Sequence, residues 1–381
     1  MDKFQRKYPS VFYLREKAKK RIPKFAFEYL DGGCNNEESL YKNTDDIRNI
    51  QLKPKYIVKK KEASIKTKLF GVEYDAPFGV APIGLQGLIW PKSPEILAKA
   101  AFDNNIPFIL STVSTSNIEK ISKITEGKAW FQLYHPAEDL ITKNILERAE
   151  DSGIKNLVIL ADVPTFGYRN REIINGLSLP PKLTLSNFKS MLSKPSWLIN
   201  TILKGKPSFE TLKPYMSKNL SLKQLGKFMD ATFSGALNGE KISRLRDLWK
   251  GNLIIKGIES LEDITISEKL GLDGVIVSNH GGRQIDIGES TVNSLKRIKN
   301  SYNGKMKIMM DSGIREGTDI ARVLACGAEF TFLGRTFMYS VSALGKRGGD
   351  HCILMLKRQL NQIMEQLSCE NISDLKKHLI Q

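Results

Sequence analysis

A (β/α)8, or TIM, barrel of the α/β class is what this sequence predicts, and two observations carry that expectation. Eight short, apolar, β-branched runs recur along the 381-residue chain with helical patterns between them, and eight such units is the number that closes a parallel barrel. Each run also ends in a polar or conformationally special residue, at the end where such a barrel builds its active site. The runs are 78–81, 107–110, 129–133, 157–160, 252–255, 274–277, 307–310 and 329–333. Their length and β-branched content favour strands over pieces of buried helix. Stretches 93–104, 144–152 and 261–269 have helical spacing. The residues at the strand ends are, in order, Pro82, Ser111, Gln132 with Tyr134, Asp162, Lys256, Ser278 with His280, Asp311, and Gly334 with Arg335.

Two regions stand outside this repeat. Residues 1–75 are expected to form a helical extension packed on the barrel, with one helix at 23–30 ended by Asp31-Gly-Gly33. Residues 76–381 form the barrel, interrupted after the fourth strand by an insertion at 165–250. That insertion is too long for a simple βα loop, so a lid or a membrane-docking element is expected. A helix at 349–367 should close the barrel.

Composition narrows the class. The chain is 41% hydrophobic, enough to bury a large core. Cys34, Cys326, Cys352 and Cys369 are scattered without a Cys-x-x-Cys pair, which argues against a zinc site or a disulfide framework and fits a reducing compartment. No metal site is expected. The start lacks a signal-like apolar stretch, and no run approaches the ~18 apolar residues of a spanning helix. The expected location is the cytoplasm or the cytoplasmic face of its membrane. The net charge of +17 is spread along the chain without a nucleic-acid motif, so a lysine-rich solvated surface is expected rather than nucleic-acid binding.

The strongest motif is Ser278-Asn-His-Gly-Gly-Arg-Gln-Ile-Asp286. Alone, His-Gly-Gly-Arg is compatible with a turn carrying a structural histidine. Directly after the sixth strand, the His280 imidazole points into the barrel mouth, where a side chain of pKa near ~6.5 suits a general base. Gly281 and Gly282 permit a tight turn that sets Arg283 beside it, and a guanidinium can hold a carboxylate by two parallel hydrogen bonds. A base beside a carboxylate clamp suits proton abstraction from a hydroxy acid. After strands seven and eight come Asp311-Ser-Gly-Ile-Arg315 and Leu333-Gly-Arg335. Their glycines let backbone N–H groups approach a phosphate that the arginines neutralise. Lys256 needs an anionic partner if it is buried, and a reduced flavin would supply one. Asp162 is placed to hold protonated His280 by charge pairing.

Together these residues resemble the FMN-dependent 2-hydroxy acid dehydrogenase and oxidase family, which includes glycolate oxidase, L-lactate dehydrogenase and mandelate dehydrogenase. The resemblance runs from about residue 5 to 375. Further support comes from Phe27-Glu-Tyr-Leu-Asp-Gly-Gly33, Trp130-Phe-Gln-Leu-Tyr134 and Leu179-Pro-Pro-Lys-Leu-Thr184. The resemblance implies FMN as cofactor and oxidation of an L-2-hydroxy acid to the 2-oxo acid. It implies that His280 takes the proton, Asp162 stabilises the imidazolium, and Lys256 stabilises reduced flavin. Tyr29, Tyr134, Arg169 and Arg283 would hold the substrate. Ala81, Pro82, Ile83, Ser111, Gln132 and Ser278 would contact the flavin ring, Asp311 and Ser312 the ribityl region, and Gly313, Arg315, Gly334 and Arg335 the phosphate. A homotetramer is expected on the same basis.

Departures from the family pattern are informative. Ile83 and Leu160 stand where the family usually has threonine, which removes one side-chain hydrogen bond to the flavin. Val113 and Gly84 replace the tryptophan and alanine of glycolate oxidase, so a side chain larger than that of glycolate is expected to fit. Within 182–223 there are eight lysines and one acidic residue, interleaved with Met191, Leu192, Trp197, Leu198, Ile199, Ile202 and Leu203. That composition suits an anionic membrane surface or a self-packed lid, and it is similar to membrane-associated, quinone-reducing L-lactate dehydrogenases. Electrons would then pass to quinone or another acceptor. The alternatives are an oxidase releasing H2O2, a relative acting on a peptide-derived substrate in cofactor maturation, and a non-redox phosphate-binding barrel enzyme.

Overall fold

The computed structural model describes residues 3–58, 62–177, 184–205, 207–217 and 237–380, together with Gln224, Phe228 and Thr232. A two-stranded hairpin, β1 (Thr67–Leu69) and β2 (Val72–Tyr74), precedes the barrel strands β3 (Phe78–Val80), β4 (Ile109–Ser111), β5 (Trp130–Leu133) and β6 (Asn156–Leu160). The barrel continues with β7 (Asn252–Ile258), β8 (Gly274–Val277), β9 (Lys307–Met310) and β10 (Phe330–Leu333). These eight strands are parallel and lie in the order β3-β10-β9-β8-β7-β6-β5-β4. A single bridge between Val80 and Phe108 closes the remaining seam. The barrel expected from the apolar runs is therefore present, each strand within a few residues of its run. Helices Ser93–Asp103, Asp139–Asp151 and Leu261–Lys269 fall on the three helical stretches.

The inside is filled with side chains rather than open. Ile109, Trp130, Val158, Ile254, Ile276, Met309, Phe330 and Phe332 form one inner cluster with Leu69, Phe70 and Tyr74 of the hairpin. Phe70 lies against Gly274, the first residue of β8, so the hairpin plugs the N-terminal end of the barrel. The extension at 1–75 is thus not wholly helical, as expected, but ends in a β-hairpin. Its turn residues Phe70 and Gly71 both have positive φ, +47° and +80°, the geometry that suits the twist of a two-residue hairpin loop.

Helices Val11–Arg21, Lys24–Asp31 and Glu38–Arg48 are the longer helices of the extension. Gly32 and Gly33 end the second of them, but through close approach rather than a left-handed cap. Gly32 has φ −75°, and a Cβ on Gly33 would lie 2.7 Å from the carbonyl of Gly282. At the other end of the chain, helix Gly348–Gln366 matches the expected closing helix.

The insertion after β6 has two faces. Helices Leu185–Leu192 and Pro195–Lys204 leave Leu185, Ile202 and Leu203 exposed at 84%, 71% and 72%. Trp197 faces the opposite way and is 3% exposed. Its indole N–H donates to the Ile89 carbonyl at 3.0 Å, and its ring stands edge-on to Phe25. Phe209 and Leu212 are also buried. Trp197, read from sequence as part of a basic-apolar surface, is instead the anchor that fixes the helix to the barrel. Of the Leu179–Thr184 motif only Thr184 lies among the described residues. Its hydroxyl caps helix Leu185–Leu192.

Candidate active site

The strand ends converge on a cavity of about 490 Å³ at the C-terminal mouth, within the usual range for small-ligand sites. Sixteen of the expected site residues line it: Tyr29, Ala81, Pro82, Ile83, Gln132, Tyr134, Arg169, Lys256, His280, Arg283, Asp311, Ser312, Gly313, Arg315, Gly334 and Arg335. Asp162, Ser111 and Ser278 sit behind its wall. The Ser278 hydroxyl accepts from the Lys256 ammonium at 2.8 Å and from the His280 backbone N–H at 3.1 Å.

His280 follows β8 in a left-handed turn. It has φ +57°, and Gly281 and Gly282 follow at +67° and +70°. A Cβ on Gly282 would meet the Leu40 backbone nitrogen at 2.5 Å, so the loop must be bare there to lie against the extension. Asn279 pins it further by a reciprocal amide pair with Asn43, at 2.8 and 2.9 Å. His280 Nδ1 lies 2.9 Å from Asp162 Oδ1. A carboxylate can only accept, so Nδ1 carries the proton and the neutral ring turns an unprotonated Nε2 to its other side.

Burial lowers the His280 pKa below its ordinary 6.5; Asp162 opposes that shift, while Lys256 and Arg169 add to it. Burial alone would raise the Asp162 carboxyl, but His280 and Lys256 outweigh it and hold the group below its usual range. Lys256, 3% exposed, lies 3.1 Å from Asp311 and 3.9 Å from Asp162. Burial pushes its ammonium down, but these two carboxylates keep it above its ordinary value. The anion expected opposite this lysine is thus supplied in part by the protein itself.

Arg283 donates from Nη1 to the carbonyls of Tyr29 at 2.7 Å and Gly32 at 3.0 Å, and from Nη2 to Glu172 at 2.7 Å. Its guanidinium stands 5.0 Å over the Tyr29 ring. Arg169 donates from Nε to the Arg283 carbonyl at 3.2 Å and from Nη2 to Gln284 at 2.9 Å. Gln284 also donates to the carbonyls of Asp162 and Thr165, which ties the His280 loop to the start of the insertion. Glu172 and Gln284 were not singled out in the sequence. Gln284 lay inside the strongest motif, and Glu172 stands three residues after Arg169, so both had a signal.

At the other end of the cavity Gly313 has φ +81°, and Gly334 precedes helix Arg335–Leu344. Arg335 donates to the carbonyls of Leu30, Gly281 and Gly32 at 3.0, 2.9 and 2.8 Å. Burial and the neighbouring Arg315 lower its pKa to about 9. Arg335 therefore acts largely as a staple for the extension, and Arg315 presents the freer charge. Paired arginines and bare glycines at one end, with Gln132, Lys256 and apolar wall at the other, fit a long ligand carrying a phosphate and a polar-edged ring.

A family model described as FMN-dependent dehydrogenase matches residues 18–381. The chain belongs to the FMN-dependent dehydrogenase family. It is 36% identical over 362 residues to the L-lactate dehydrogenase of Vibrio cholerae serotype O1 (strain M66-2), covering 95% of this chain and 96% of that one. Among solved structures it is similar to one described as the monotopic membrane protein (S)-mandelate dehydrogenase, with TM-score 0.92 and 32% identity over 98% of this chain and 99% of the other. A soluble mutant of the membrane-associated (S)-mandelate dehydrogenase from Pseudomonas putida gives TM-score 0.80 and 34% identity over 97% and 99%. Membership makes FMN the cofactor and the chain an FMN-dependent 2-hydroxy acid oxidoreductase.

Proposed function

We propose that this FMN-dependent dehydrogenase oxidises an L-2-hydroxy acid with an apolar side chain to its 2-oxo acid. The observation that carries the reading is the His280–Asp162 pair at 2.9 Å, with His280 in the same cavity wall as Arg169 and Arg283. Bound FMN would supply the two-electron acceptor. Arg169 and Arg283 hold the substrate carboxylate, and Tyr29 and Tyr134 bond its carboxylate and hydroxyl. His280 Nε2 takes a proton, and Asp162 stabilises the imidazolium that results. Lys256 would set positive charge near the flavin ring, Asp311 and Ser312 would hold the ribityl region, and Arg315 with Gly313 and Gly334 would hold the phosphate.

The pocket favours a side chain beyond that of glycolate. Val113, Ile89, Phe209 and Leu177 give the cavity an apolar branch. The gains at Gly84 and Val113 are not independent, however, because a Cβ on Gly84 would meet Val113 Cγ2 at 2.8 Å. Val113 already fills the space the missing methyl leaves. Anaerobic addition of glycolate, L-lactate, 2-hydroxyoctanoate and L-mandelate to the purified yellow protein should bleach the flavin, with kcat/KM lowest for glycolate. A yellow protein that no member bleaches rejects the reaction; a preference for glycolate rejects the pocket reading.

For the electron acceptor we favour quinone at a membrane surface, with the insertion lying on that surface through Leu185, Phe188, Leu192, Ile199, Ile202 and Leu203, all exposed. No described helix is long and apolar enough to cross a membrane, so the contact is peripheral. Deleting 190–215 would be a poor test, since it removes buried Trp197, Phe209 and Leu212. Ile199→Ser, Ile202→Ser and Leu203→Ser together should move the protein from membrane to soluble fractions, with turnover of a soluble dye acceptor unchanged. An intact protein already wholly soluble overturns this part, and H2O2 formed in step with product would assign an oxidase instead.

A further inference from the structure

The arginine pair carries a carboxylate of its own. Glu172, 9% exposed, sits on the short helix Asn170–Ile174 at the base of the insertion. It accepts from Arg283 Nη2 at 2.7 Å and lies 3.5 Å from Arg169 Nη1. Two guanidiniums thus share one glutamate, within a largely buried site where charge is weakly screened. Both Arg283 Nη1 hydrogens go to the Tyr29 and Gly32 carbonyls and one Nη2 hydrogen goes to Glu172. Among the described bonds, that leaves Nε and one Nη2 hydrogen of Arg283 for a ligand. On Arg169, among the described residues, Nη1 makes only the longer ion-pair contact with Glu172.

We infer that Glu172 is a specificity-determining and positioning residue, which offsets one of the two arginine charges and so tunes the site to substrates with a single carboxylate. This rests on the reading of Arg169 and Arg283 as the carboxylate anchor. Two positive charges against one fixed negative leave about one unit for the ligand. A monocarboxylate neutralises that unit. A second carboxylate two or three bonds away meets the Glu172 oxygens, where like charges repel. Glu172 also fixes the orientation of the Arg283 fork through a charge-assisted hydrogen bond, so the substrate meets a preset donor geometry.

The test compares a monoanion and a dianion of similar size and without a hydroxyl group. Calorimetric titration of the FMN-loaded protein with propionate and with malonate gives the ratio of their affinities. Glu172→Gln keeps the shape and removes the charge, and it should shift that ratio toward malonate by about tenfold or more. Glu172→Asp keeps the charge and should leave the ratio near that of the wild type. A merely structural role would weaken both ligands together and leave the ratio unmoved, so an unchanged ratio in Glu172→Gln overturns the inference. The wild type tests it even if that variant does not fold: a wild-type preference for malonate beyond about tenfold also overturns it. Wild-type protein that binds neither ligand refutes the anchor beneath the inference, whereas protein that binds them but is bleached by no hydroxy acid refutes the proposed reaction alone.

Discussion

His280→Gln is expected to lower kcat for hydroxy-acid oxidation by about 10²–10⁴-fold, the range for loss of a positioned general base, while FMN stays bound. Glutamine keeps a polar group near Asp162 but cannot take a proton at neutral pH. The pH profile sharpens the test. The imidazole pKa lies below 6.5 because burial, Lys256 and Arg169 together outweigh Asp162. The wild-type kcat/KM should therefore rise with pH along a limb below 6.5 and be flat above it, since the neutral ring is the active form. In Asp162→Asn the opposing anion is gone, so the limb moves to lower pH. Its plateau falls as well, because the imidazolium formed in the reaction has lost its partner. Rates measured from pH 5 to 8 with a buffer-independent acceptor check both. A full-rate His280→Gln enzyme would remove His280 from the mechanism.

Lys256→Met should damage stability and flavin chemistry together. Lys256 holds Asp311 at 3.1 Å, Asp162 at 3.9 Å and the Ser278 hydroxyl at 2.8 Å. Methionine fills a similar volume but takes the shared cation away from two buried carboxylates. Breaking a buried pair from one side costs about 3–5 kcal/mol, visible as a lower denaturation midpoint of the FMN-loaded protein. The variant should also show a more negative flavin reduction potential, since the positive charge that favours electron uptake is lost. An unchanged midpoint and potential would make the lysine a bystander.

The barrel was legible because buried parallel strands read as short β-branched runs and their ends fall in register. Asp162 and His280 were legible for the same reason, each just past a strand; Lys256 lies two residues inside the end of β7, and Arg315 was legible from the glycine-rich motif after β9. The hairpin at 67–74 escaped notice because three-residue strands are too short to show a period. Trp197 illustrates a different limit. Helical spacing says that a helix has two faces, and only packing decides which of them turns inward. Glu172 had a local signal three residues after Arg169, but its pairing with Arg283, 111 residues away, is announced by no local pattern. Arg335 reads from sequence as a phosphate-binding cation, and nothing local shows it as a clamp on carbonyls more than 300 residues earlier.

Those carbonyls bear on how the enzyme comes into being. The backbone at Tyr29, Leu30 and Gly32 grips arginines 254, 305 and 303 positions later in the chain. This segment is synthesised well before the barrel units that carry its partners, and contacts of such long range form slowly. Residues 29–32 and Arg335 must both be in place before the loop that carries Arg283 is held. A refolding chain should accordingly regain its barrel signal before its turnover, and a nascent chain stalled short of Arg335 would be a barrel in the making with no chemistry yet to perform.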